Sequence, residues 1–357
     1  MEYRIGPQDR RRFKRCRRQW DFASPLRRNL EFVDPPVFSP TATALTDALA
    51  VYYYPGTWDW QRDLRQSLVQ KAAYRSLADA GALRELGRCS SFLTCYDAWA
   101  VTVDDFAPVK IGQDVSALVR DPDEPERGLT TPDGSGVVYA CRVDLLAVDA
   151  RDEYWVVRHE LRSEHWRPMT ELLLDEEALA ACWAWQQDYI GMEMAGTIHN
   201  EIRVDDTRSL PADDTATDAA ESVAQHSASG GGRSIPQHVR ISALAARPDD
   251  RDRIEQRTAG PIRRTRIRRS RAEIAAAGRA IAVEAIEMTR SPAVYPSPGE
   301  HCVECEFTKP CQAMFEGADP EALLASGFRR HSAGERNRPR LGQATWGFGR
   351  GAAPPNW

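Results

Sequence analysis

The segment His301-Cys302-Val303-Glu304-Cys305-Glu306-Phe307-Thr308-Lys309-Pro310-Cys311 places three of the chain's eight cysteines in a C-x2-C-x5-C run. Two cysteines three apart reach one metal centre from a tight turn, and a third six residues on closes another side. The fourth ligand must come from elsewhere, so the fold has to bring a distant segment to this loop. Cys16 is the first candidate, with Cys89 and Cys95 as alternatives. Four thiolates suit a structural zinc as well as an iron–sulfur cluster, and with zinc His301 could be a ligand.

Compartment and composition narrow this further. No run of about eighteen apolar residues occurs, and no apolar segment follows the basic stretch Arg10 to Arg18, so neither a membrane span nor a signal peptide is expected. A cytoplasmic location is the expectation, where cysteines serve as metal ligands or small buried hydrophobes rather than as a disulfide framework. Cys89, Cys95, Cys141 and Cys182 lie in apolar or strand-like settings and read as structural. The 357 residues, 42% of them apolar, suffice for a large core. With 47 basic against 52 acidic residues, net charge neither predicts nor excludes a nucleic-acid partner. Lysine occurs only at Lys14, Lys71, Lys110 and Lys309, so any chemistry that needs a lysine has few candidates.

Residues 7–22 read as a helix with Pro7 and Asp9 in its first turn and Phe13, Cys16 and Trp20 on one face. Residues 41–54 and 59–87 read as further helices, parted by Pro55-Gly56. From Asp105 the pattern turns to β-like runs over 106–119, 136–148 and 154–161, then a helix over 171–189 and strand candidates at 197–204 and 238–244. Asp205 to Arg233, acidic and Gly-rich, reads as a flexible insertion. Arg251 to Arg271 holds nine arginines and leads into a helix over 270–289. The expectation is an α/β chain with a central mixed sheet. Its parts are a helical region over 1–100, a sheet core over 101–204, the insertion over 205–237, a basic helix and cysteine loop closing the core over 238–327, and a disordered tail over 328–357.

One cysteine in an early Arg-rich helix (Phe13-Lys14-Arg15-Cys16-Arg17-Arg18-Gln19-Trp20), followed after the whole core by C-x2-C-x5-C, resembles the iron–sulfur RecB-like exonucleases of the PD-(D/E)XK superfamily. The AddB nuclease domain and the CRISPR-associated RecB-like exonucleases are of this type. The resemblance spans roughly residues 7–204 and 238–315. It implies a PD-(D/E)XK core and a [4Fe-4S] cluster on Cys16, Cys302, Cys305 and Cys311 that staples the two chain ends together. It also implies an acid at the end of one strand and an acid-x-lysine on the next, holding Mg²⁺ or Mn²⁺ for DNA hydrolysis.

Asp144, in Cys141-Arg142-Val143-Asp144, is similar to the first acid. The second element departs from the pattern. After Tyr154-Trp155-Val156-Val157 comes Arg158-His159-Glu160, with the charges swapped, whereas sliding two residues gives Glu160-Leu161-Arg162. An active site would use Asp144 and Glu160 on the metal, Arg162 or Arg158 on the developing charge, and Asp114 as a third carboxylate. Arginine replaces a compact ammonium poorly. The family's early-helix histidine has no counterpart between Thr41 and Tyr54, and its helix glutamine is missing from Asp175 to Trp183.

These departures imply a catalytically impaired or repurposed DNA-binding member. An active metal-dependent exonuclease and a zinc-stapled non-enzymatic scaffold are the alternatives. DNA, single-stranded or with free ends, is the expected partner, with a protein partner also open. Arg263, Arg264, Arg266, Arg268 and Arg269, together with the Arg10 to Arg18 cluster, are expected to face phosphate, and Trp58, Trp60 and the tail tryptophans to offer stacking surfaces. No G-x-x-x-x-G-K-[ST], H-E-x-x-H or G-x-S-x-G is present.

Overall fold

The computed structural model describes residues 2–33, 39–162, 165–203, 253–290 and 293–330. The expected insertion over 205–233, the strand at 238–244 and the tail beyond residue 330 lie outside the described residues.

The chain opens with β1 (Glu2–Ile5), α1 (Pro7–Arg15), α2 (Arg17–Ala23) and β2 (Leu30–Phe32). Pro7 starts α1, and the Asp9 carboxylate turns back to accept the Gly6 amide at 3.2 Å. The single helix expected over 7–22 is broken at Cys16, whose extended backbone (φ −160°, ψ 115°) ends α1 and starts α2. The break keeps Phe13 and Trp20 in one buried edge-to-face contact with centroids 4.9 Å apart.

Next come α3 (Pro40–Tyr52), α4 (Arg62–Asp79) and α5 (Leu86–Val103), which pack side by side. The strands β3 (Phe106–Leu118), β4 (Gly136–Asp149) and β5 (Tyr154–Arg162) form an antiparallel meander. A crossover through α6 (Met169–Leu173) and α7 (Glu176–Asp188) returns the chain to β6 (Met194–Arg203), parallel to β5. Arg251 to Arg271, expected only as a basic run leading into a helix, contains the hairpin of β7 (Ile254–Ala259) and β8 (Ile262–Arg268), with β8 antiparallel to β6. The helix α8 (Arg271–Thr289) follows, capped reciprocally by Ser270 and Glu273. The chain then runs through α9 (Thr308–Phe315), α10 (Glu321–Gly327) and β9 (Phe328–Arg330), which pairs with β2, so the first residues assigned to the tail are a strand.

The seven-stranded mixed sheet has the order β1-β4-β5-β6-β8-β7, with β3 along the other edge of β4. Its two faces carry separate cores. On one, Val115, Tyr139, Val143, Leu146 and Val156 meet Trp183 of α7 and Ile274 of α8. On the other, Leu145, Trp155, Val157, Ile198 and Ile202 meet Leu45, Leu49, Phe92 and Tyr96 of α3 and α5. The α7–α8 contact is close because residue 278 is glycine, where a Cβ would lie 2.3 Å from the Trp183 indole nitrogen. Among the described residues, no helix is long and apolar enough to cross a membrane.

Candidate functional site

The β4–β5 turn is held by Asp149, whose Oδ1 accepts the amides of Arg151 (2.9 Å) and Glu153 (3.1 Å). This sets the register of the hairpin, in which Val148 pairs with Tyr154 and Leu145 with Val157. One further step places Asp144 opposite Arg158 rather than Glu160, and the His159 amide donates to Asp144 Oδ2 at 3.4 Å.

Strand alternation changes step at this point. Cys141 and Val143 lie in the α7-side core, Leu145 and Ala147 in the other, and Leu146 again on the α7 side. The partner strand changes step with it at Gly112, which has the left-handed φ of 55° that favours glycine. Asp144 stands where the alternation changes step, while Arg158, two residues after Val156, lies on the α7 side. Asp144 is open to solvent by area, yet protein atoms surround it. Their desolvation raises its carboxyl above the usual carboxylate range, against the opposing pull of Arg158.

Glu160 turns to other partners. Its carboxylate receives Arg167 Nη1 at 3.0 and 3.2 Å and lies 3.4 Å from His199 Nδ1. Arg167 Nη1 also reaches Asp175 Oδ2 at 2.7 Å, and Arg158 Nη1 contacts both Asp175 oxygens at 3.1 Å. Asp175 is the N-cap of α7 and accepts the Ala178 amide at 2.9 Å. His199 is fully buried on β6, in register with Arg158, and its Nε2 lies 3.2 Å from Thr197 Oγ1. Glu201, in register with Glu160, accepts the Arg167 amide at 2.9 Å and Arg263 Nε at 2.7 Å. Glu160, Asp175 and His199 offer ligand atoms all within 4.8 Å of one another, the one such group among the described residues.

Charges here are strongly coupled. Burial by itself would raise Asp175, but Arg158, the Arg167 hydrogen bond and the Ala178 amide overcome it and hold the carboxyl at about 2. Glu160 is likewise lowered: burial opposes, while the His199 hydrogen bond and the charges of Arg158 and Arg167 prevail. A depressed folded-state carboxyl pKa stabilises the fold above the unfolded value and loses that contribution as pH falls through the folded one. Asp175 should therefore contribute about 2 kcal/mol at neutral pH, lost between about pH 4 and about pH 2. Urea denaturation across that range should show Asp175→Asn with a flatter pH profile than wild type. Parallel profiles would remove Asp175 from the acid response.

The other residues singled out in the sequence are dispersed. Arg162 lies two residues beyond Glu160 on β5, with its Nε 3.5 Å from the His165 carbonyl. Asp114, on β3, is exposed and meets Arg142 at 3.5 Å. The five arginines expected to face phosphate lie on or just after β8, and their guanidinium groups meet the protein's own acceptors. Arg263 pairs with Glu201, Arg264 with Asp104, Arg266 with Asp105 and Asp149, and Arg268 with Glu153, while Arg269 binds the carbonyls of Leu172 and Leu173. Buried or half-buried guanidinium groups require such partners. Within the α1 cluster Arg10 pairs with Glu284 at 2.5 Å, Arg11 with Glu177 at 2.9 Å and Lys14 with Glu176. An open cleft of about 600 Å³ is walled by these α1 cations, by Arg158, Glu160 and Arg162 of β5, and by Arg167 and Asp175.

The α1–α2 segment and the segment after α8 meet at the cysteines. Cys16 Sγ accepts the Ser297 amide at 3.5 Å, and Arg18 Nη1 lies 3.7 Å from Cys311 Sγ. Cys305 borders a small core of Phe22, Leu30, Phe307, Leu324 and Phe328, and Cys16 is near enough to add to the upward shift that burial imposes on its thiol. Phe22 packs on Phe307 with centroids 5.1 Å apart, and Arg12 reaches Glu306 at 3.3 Å. N–H donors aimed at two sulfurs suit thiolate ligands. The four sulfurs form no group as tight as the carboxylate–histidine one.

No protein-family model matches the sequence, and no curated protein matches it.

Proposed function

We propose that this chain is a DNA-binding protein built on a PD-(D/E)XK-like core, with a structural [4Fe-4S] cluster on Cys16, Cys302, Cys305 and Cys311 and a hydrolytic centre that no longer works in the family's manner. The observation that carries the reading is the β4–β5 register, which pairs Leu145 with Val157 and, carried one step on, brings Arg158 rather than Glu160 toward Asp144. A second carboxylate opposite the first would share a divalent cation with it. A guanidinium there adds positive charge near Asp144 and cannot take up a proton from water. Glu160 sits two residues further along and is engaged by Arg167 and His199.

The cluster, when bound, supplies a cross-link between the chain ends. The protein's own contribution is to hold the α1–α2 break against the C-terminal loop through the Phe22–Phe307 contact and the β2–β9 pair. The cleft supports strand binding: Arg11 and Lys14 keep 63% and 41% of their side chains in solvent at its wall, free to exchange carboxylate for phosphate. DNA would lie along α1 and the end of β5.

The test is end-labelled single- and double-stranded DNA incubated with anaerobically purified protein and Mg²⁺ or Mn²⁺. Wild type and Asp144→Ala should both bind with an affinity that falls steeply with salt, and neither should cleave. Metal-dependent cleavage abolished in Asp144→Ala would establish an active nuclease instead. Absence of salt-sensitive binding would remove DNA as the partner.

A further inference from the structure

We infer that Glu160, Asp175 and His199 form a divalent-cation site, distinct from the Asp144–Glu160 pair that the family resemblance implies, and that the Arg167 guanidinium is its internal stand-in. The ligand atoms come from three elements, β5, the first turn of α7 and β6, and converge within 4.8 Å. Two of the three are held from behind. Thr197 Oγ1 at 3.2 Å engages His199 Nε2 and so turns Nδ1 toward the carboxylates, 3.4 Å from Glu160 and 3.9 Å from Asp175. The Ala178 amide fixes Asp175 Oδ1, while Oδ2 receives Arg167 at 2.7 Å and Arg158 at 3.1 Å.

Two carboxylates converging beside a fully buried imidazole repel one another unless positive charge lies between them. The structure places Arg167 Nη1 there, 3.0 Å from Glu160 and 2.7 Å from Asp175. That cation is removable. Arg167 belongs to the connection before α6 rather than to the sheet, and its Nε already lies 3.6 Å from the exposed Glu171 carboxylate, which can retain the guanidinium once it leaves. The cleft gives a metal ion access from solvent. Glu160, Asp175 and Glu201 face Arg158, Arg167 and Arg263, and exchange of Arg167 for a dication adds a single positive charge to that set.

Two carboxylate oxygens and one imidazole nitrogen suit Mn²⁺ better than Mg²⁺ or Ca²⁺, which favour all-oxygen shells. A manganese ion held there would present its remaining positions to the cleft, where a phosphate oxygen or water can complete the shell. The site does not depend on the DNA-binding reading, and its test involves no nucleic acid.

The experiment is Mn²⁺ titration of the full chain followed by electron paramagnetic resonance, with Mn²⁺ chosen because it binds thiolates weakly. Wild type should take up one Mn²⁺ saturably. Glu160→Gln and Asp175→Asn, the latter keeping a good N-cap, should each weaken binding at least about tenfold. Arg167→Ala should tighten it by about tenfold, because the competing cation is gone. Misfolding cannot produce that gain, so this variant decides if the other two are unstable. Absence of saturable binding, equal affinity in wild type and both carboxylate variants, or no gain in Arg167→Ala would overturn the proposal.

Discussion

On the proposed [4Fe-4S] ligation, replacing Cys305 by serine is expected to abolish the brown colour that such a cluster gives the anaerobically purified protein and to lower its soluble yield sharply. The reasoning is energetic. A structural metal centre contributes on the order of 10 kcal/mol to the folded state, whereas a whole domain retains only about 5–15 kcal/mol. The segments joined here have little else to hold them. Beyond the small core around Phe22, Phe307 and Phe328, they share the three-residue β2–β9 pairing and surface ion pairs such as Arg28–Glu321, and exposed pairs are worth about 0–1 kcal/mol. Loss of the cluster should therefore release the C-terminal loop and expose Trp20 and Phe22, and thermal unfolding should begin at lower temperature. Absorbance near the visible charge-transfer region, iron and sulfide content and the melting midpoint, measured on wild type and Cys305→Ser side by side, check it. A variant as coloured and as stable as wild type would remove Cys305 from the ligand set; a colourless wild type rich in zinc would replace the cluster by a zinc staple.

The second large effect is expected on the opposite face of the sheet. Asp104, at the end of α5, and Arg264, on β8, form an ion pair with side chains only 5% and 7% exposed. Arg264 Nη2 also donates to Tyr53 Oη at 3.0 Å, the Tyr53 hydroxyl lies 3.2 Å from Asp104 and 2.8 Å from the Tyr96 hydroxyl, and Asn200 Nδ2 donates to Tyr96 at 2.7 Å. The guanidinium lies against the rings of Trp99 and Phe106. Removing one partner of such a pair leaves an uncompensated charge in an apolar setting, and Asp104→Ala should cost about 3–5 kcal/mol. Adding Arg264→Met should recover much of the loss, since a buried pair replaced on both sides by apolar groups is often close to neutral. Denaturant midpoints for the single and double variants measure both terms. A loss below about 1 kcal/mol in Asp104→Ala would mean that water reaches the pair and that the network does not brace β8 against the helical layer.

The same arginines show how far local reading extends. In the sequence, Arg263 to Arg269 are a basic run, and their density suggests phosphate. In the fold the run is a strand, so alternate guanidinium groups go to opposite faces: Arg263 to Glu201 beside His199, Arg264 and Arg266 to Asp104 and Asp149. Each partner is 62 to 160 residues away in the chain, a separation at which spacing carries no information. The candidate site is equally divided. Asp144, Arg158 and Glu160 are visible as charged residues in apolar runs, and the β4–β5 hairpin as two such runs flanking a turn. Asp175 carries a weak signal, an aspartate directly before Glu176-Glu177-Ala178 that reads as a helix cap. His199 carries none, because a histidine within an apolar strand reads as core.

What the sequence by itself determined is the succession of elements: helices before residue 104, a β-meander, a crossover helix, a returning strand and a capped helix before the cysteine loop. Periodicity, turn residues and caps are local, and they act within one or two turns of chain. What only the tertiary structure decided is which charge faces which. The choice between Arg158 and Glu160 beside Asp144 rests on a register difference of two residues, and the β4–β5 pairing, set by the turn at Asp149, leads toward Arg158. Ion-pair partners are selected in the same way, because a charge brought into a packed interior must take whichever opposite charge the fold delivers within a few ångströms.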